Sequence, residues 1–116
     1  MRLIFGGKMN HIFFSIVLCA DIVTRWDFGM LAMSAARQGM PEKAVDWLLN
    51  PLFQFDDVGM PLGGVKVPTP YFPGSGSLLL AIAMMAEGWD GSQSLGASPG
   101  FPQGWLIKTE GISKVL

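Results

Sequence analysis

Asp56 and Asp57 stand side by side in the stretch NPLFQFDDVGMPLGGVKVPTPYFPGSGS, residues 50–77, where Lys66 is the only other charge. A carboxylate held in an apolar loop can activate water or bind a hydroxyl. The plainer reading is structural, because an aspartate side chain readily accepts backbone N–H groups and closes an Asx turn. The pair is adjacent in the chain, so at most one of the two can serve as a water-activating base. Tyr71, between prolines and beside the Gly74–Gly76 turn, is the aromatic of this stretch best placed to present its hydroxyl to a ligand. Trp26, Trp47 and Trp89 offer broad apolar faces with a polar edge, but core packing is their commoner fate.

The stretch that carries these residues holds five of the chain's eight prolines and five of its fifteen glycines, so it cannot be a regular helix. Phe53, Phe55, Tyr71 and Phe72 make it too aromatic for a flexible linker. An ordered loop packed on apolar surface is expected. Gly74 to Gly76 before a helix could present amides to an anion, but no lysine follows to complete a phosphate loop.

Composition narrows the classes. The 116 residues allow one domain, with 50% hydrophobic and 15% charged residues against a usual charged share of about 25%. A small domain exposes much of its surface and should carry more charge than a large one. Either a membrane or a larger protein must then cover its apolar faces. The apolar run Leu78 to Ala86 is far short of the ~20 residues of a span, which favours the larger protein and no membrane span. A net charge of −1 leaves no footprint for nucleic acid. One cysteine, Cys19, and one histidine, His11, exclude a zinc module, and neither metal nor cofactor is expected.

Residues 1–20 form an apolar leader. Arg2 and Lys8 precede a run from Ile12 to Cys19 that ends at Ala20, the outline of a signal peptide, or else of a misassigned start. From Thr24, an N-cap with Asp27 three positions on, the pattern is helical. Phe28, Leu31, Ala32, Ala35 and Ala36 make a broad apolar side, with Trp26, Met30, Met33 and Arg37 on another, as suits a helix packed on two sides. Gly39 stops it and Pro41 opens a second helix, with Ala44, Val45, Leu48 and Leu49 inward and Asn50-Pro51 at its close. Ser75 or Ser77 caps a third helix, apolar nearly all round until Glu87 and Gly88. Its stripes are Leu78, Ile82, Met85 and Leu79, Ala83, Ala86, as in a helix buried inside a large protein. The tail from Trp105 alternates loosely and reads as a short strand or a docked extended end.

Three stretches, TRWDFGMLAMSAARQGMPEKAVDWLLNPLFQFDDVGMP, VPTPYFPGSGSLLLAIAMMAEGWDG and PGFPQGWLIKTEGI, resemble the C-terminal part of fungal six-hairpin glycosidases. These are (α/α)6-toroid proteins in the neighbourhood of the family 95 fucosidases and the family 65 and 78 glycosidases. The resemblance spans residues 24 to 112. It implies an all-α fold: a partial (α/α)6 toroid over 21–116, with an αα-hairpin and a third buried helix joined by a long ordered loop. It also implies carbohydrate as the ligand of a full-length relative, the remainder of the toroid as a partner, and Asp56 or Asp57 as the candidate base. Tyr71 and Trp26 are the candidate sugar contacts. The position matching the base of related fucosidases is Pro73, which cannot take a proton. Inverting hydrolysis needs an acid and a base ~6.5–9.5 Å apart on opposite sides of the sugar. The acid is missing here, so the expectation is a glycoside-hydrolase-like fragment without activity of its own. The competing expectation is a small secreted interaction protein matured at Ala20.

Overall fold

The computed structural model describes residues 27–64 and 67–115. Its regular secondary structure is helical: α1 (Asp27–Arg37), α2 (Pro41–Leu48), α3 (Phe72–Glu87) and one 3-10 turn (Gln93–Leu95). Among the described residues there are two isolated β-bridges and no strand. The described residues are mostly helical, compatible with an all-α fold. Trp26, Thr24 and the leader 1–20 lie outside the described residues.

The α1–α2 hairpin turns on glycine geometry. Gly39 has a φ of +72°, and the Gly39 and Met40 N–H groups donate to the Ala36 and Ala35 carbonyls at 3.0 Å each. Those are the two bonds of a Schellman motif, which satisfies the last carbonyls of α1. Pro41 then opens α2, where its fixed φ suits the first turn and its missing N–H costs nothing.

α1 is the central helix, packed against both α2 and α3. Its buried face is the expected one: Phe28, Leu31, Ala32, Ala35 and Ala36. At the crossing with α3 the two backbones nearly touch, since a Cβ built on Gly29 would lie 2.5 Å from the Ser77 carbonyl oxygen. Small residues fill the centre (Ala32, Ala36, Ala44 and Ala81 are fully buried), and Met84, Met85 and Trp89 close around them. Methionine suits the remaining gaps because its unbranched chain adapts to irregular space.

Several expected boundaries and faces are corrected. α3 begins at Phe72, not at a Ser75 or Ser77 cap, because Pro73 sits comfortably in a first helical turn. α2 ends at Leu48, and Leu49 is 74% exposed instead of facing inward. α3 is not buried all round. Gly74, Ala81, Met84 and Met85 face α1 and the loops, while Leu79, Leu80 and Ile82 are 67%, 47% and 38% exposed. Leucine and alanine look equally apolar in a sequence pattern; on α3 Ala81 and Ala86 lie inside with Met84 and Met85, and Leu79 and Leu80 lie outside.

The C-terminal tail is a docked extended end and not a strand. A single parallel bridge joins Trp89 and Val115, with the Val115 N–H donating to the Gly88 carbonyl at 3.2 Å. The Thr109 hydroxyl donates to Glu87 Oε1, and Lys114 Nζ lies 2.6 Å from Asp90 Oδ1. These contacts return the tail to the end of α3.

Candidate functional site

The loop between α2 and α3 is held by its own hydrogen bonds. Asn50 Oδ1 accepts the Leu52 N–H at 3.0 Å, which turns the chain out of α2. Phe53 then plugs into the hairpin, stacked on Phe28 at 5.4 Å and tilted against Phe55 at 5.0 Å. An antiparallel bridge joins Phe55 and Pro61, and the Asp56 N–H donates to the Met60 carbonyl at 2.8 Å. Pro61 is fully buried, and its carbonyl accepts the Tyr71 N–H at 2.8 Å, which ties the loop to the start of α3. The Thr69–Pro70 bond is cis, and Thr69 Oγ1 accepts the Gly63 N–H at 2.8 Å.

Within this frame Asp56 does a definite structural job. Its Oδ1 accepts the Val58 N–H at 3.1 Å and the Met60 N–H at 2.7 Å, and its carbonyl accepts the Gly59 N–H at 3.1 Å. Gly59 has a φ of +82°, which the tight reversal requires. Asp57, at the tip, is exposed. Tyr71 is half-buried at the N-terminus of α3, with its carbonyl accepting the Gly74 N–H. Gly74 is close-packed, since a Cβ there would stand 3.3 Å from Pro61 and 3.6 Å from Phe53. Pro73 is exposed in the first turn of α3. The structure thus brings Asp56 and Tyr71 onto one tied loop, joined through Met60 and Pro61.

Three concavities among the described residues lie beside this loop or away from it. A groove of about 550 Å³ runs between the end of α2, the loop and α3, walled by Leu48, Phe53, Phe55, Leu78, Ile82 and Trp105. None of Asp56, Asp57 or Tyr71 lines it; its polar side chain is Asn50. A second groove, about 580 Å³, runs along α1 and α3 past Met30, Met33 and Leu80. A smaller hollow of about 410 Å³ lies under the 95–105 segment. Phe101 and Trp105 border both the first groove and this hollow. Sequence reasoning passed over that pair. The signal was present in Phe101-Pro-Gln-Gly-Trp105, two aromatics set across a Pro/Gly turn.

Among the described residues, the other two tryptophans are structural. Trp89 is buried, and the Ser92 hydroxyl accepts its N–H at 3.0 Å while donating to its carbonyl at 2.7 Å. Trp47 is half-buried beside Phe28, with Lys43 Nζ 5.2 Å from its ring centre. Among the described residues, no three His, Cys, Asp or Glu side chains are grouped to hold a metal ion. No described helix is long and apolar enough to cross a membrane. Compared with known proteins, the chain matches no family model, no curated protein and no solved structure.

Proposed function

We propose that this chain is a non-catalytic piece of a glycoside-hydrolase-like helical protein, a part of an (α/α)6 toroid whose remaining hairpins cover its outer faces. The observation that carries the reading is the set of large apolar side chains left outside the core: Leu49, Leu52, Leu79, Leu80 and Leu106 are each at least 47% exposed. Large exposed apolar patches mark surfaces that another body covers. An all-helical neighbour would meet α3 along Leu79, Leu80 and Ile82.

In this reading the 50–71 loop is one wall of a carbohydrate site. Asp56 or Asp57 supplies at most one carboxylate, and the partner acid comes from outside the chain. The purified chain is expected to leave aryl glycosides intact. Turnover that is lost in Asp56→Asn or Asp57→Asn would contradict this.

A second reading, a small secreted protein that binds a partner through its apolar grooves, is favoured by the 550 Å³ groove, which has no charged side chain among its described lining residues. Secretion is tested by mass spectrometry of culture medium. A species starting near Asp21 supports it, and retention of residues 1–20 counts against it.

A further inference from the structure

Phe101 and Trp105 stack with ring centres 5.8 Å apart and 27° between planes. Phe101 supports the indole, yet Trp105 remains 53% exposed. The pair stands on a turn fixed by Gly104, with a φ of +89°, and by the Trp105 N–H donating to the Pro102 carbonyl at 3.4 Å. It forms a ridge between the apolar groove and the smaller hollow, whose polar side chains are Ser98 and Gln103.

Among the described residues, neither lining contains a charged side chain. A phosphate, carboxylate or ammonium ligand would enter without a counter-charge, at a steep desolvation cost. The surface suits a neutral molecule with one apolar face and a hydrogen-bonding rim. A pyranose ring has that form, with C–H groups across a face and hydroxyls around the edge. We infer that the Phe101–Trp105 pair is a binding platform for a neutral saccharide. Trp105 stacks against the sugar face, and Ser98 and Gln103 meet hydroxyls from the adjoining hollow. A proline-rich peptide is also neutral and docks into aromatic-lined grooves; in the groove here Phe53 is buried and Phe55 half-buried, so the exposed ring is that of Trp105, a single face that suits one sugar better than a run of prolines. The inference deepens the carbohydrate reading above and rests on it for its biological sense.

The test is calorimetric titration of the full chain with cellohexaose, xylohexaose and chitohexaose, repeated with Trp105→Ala, Trp105→Phe and Gln103→Ala. At least one hexaose is expected to bind, with a loss of about tenfold in Trp105→Ala, a smaller loss in Gln103→Ala and near-retention in Trp105→Phe. The Trp105 indole N–H resonance of the unaltered chain should shift on binding, which guards against misfolding of a variant. Binding unchanged in Trp105→Ala overturns the platform and leaves the carbohydrate reading standing. Binding of no hexaose, or a shift of that resonance by a proline-rich decapeptide instead, overturns the platform as well. The toroid reading fails by a different result, a chain that is monomeric with its apolar face satisfied.

Discussion

Gly29 and Ser77 mark the closest crossing of α1 and α3: a β-carbon on Gly29 would come within 2.5 Å of the Ser77 carbonyl oxygen. Backbone cannot yield at that distance as a flexible side chain could. Gly29→Ala should therefore force the helices apart and destabilise the fold by about 1–3 kcal/mol, as overpacking does. The measurement is the shift in urea midpoint. An unchanged midpoint would mean that the crossing is not part of the stable core.

Asp56 holds its turn through two backbone N–H groups, so removing the acceptor should cost about 1 kcal/mol. Asp56→Asn keeps an oxygen at the same place and should remain close to the parent. Asp57→Asn, at the exposed tip, should do nothing to stability. Hydrogen exchange at the Val58 and Met60 amides separates these outcomes, with faster exchange expected only in Asp56→Ala. Equal exchange in all three variants would remove the turn role of Asp56.

The tail contact predicts a pH effect of defined sign. Hydrogen bonding from Lys114, reinforced by its charge, holds the Asp90 carboxyl below its ordinary value of 3.8. A depressed carboxylate favours the folded, charged form. Its contribution is complete above the unfolded carboxylate value and disappears as pH falls through the lowered folded value. The pair is exposed and so is weakened by salt. In Lys114→Met the Asp90 titration, followed by carboxyl-carbon NMR, should move up to the ordinary range. If it does not move, the ion pair is absent in solution.

The α1–α2 hairpin was legible in the sequence because its signals are local. Gly39 is needed for a positive φ and Pro41 for a first turn, and each acts through its own backbone. The start of α3 was less legible, since Pro73 sits among Gly74, Ser75 and Gly76, residues that read as loop until Pro73 is seen as a helix opener. Which side of α3 faces inward could not be read at all. Leu78 to Ala86 is apolar at every position, so the neighbouring elements decide, and they take Ala81, Met84 and Met85 inward and leave Leu79 and Leu80 outside. At the site, the turn-forming use of Asp56 follows from its residue type, and the Phe101–Trp105 ridge depends on a Pro/Gly turn whose fold brings two distant-looking aromatics together. Trp26 lies outside the described residues.

Leu79 and Leu80 form the heart of the outer face of α3, and both are substantially exposed. Replacing them together by lysine should leave helix content unchanged, because leucine and lysine have similar helix propensities. The double variant should also be more soluble than the parent chain. Loss of helix on circular dichroism would show that these side chains are packed within the chain itself.

The account rests on an apolar outer surface that needs a neighbour. Light scattering coupled to size exclusion, with an apolar dye added, tests it on the purified chain. The account predicts association that grows with concentration, together with dye binding, both reduced in the Leu79→Lys, Leu80→Lys variant. A sharp monomer that melts cooperatively and binds no dye would contradict it.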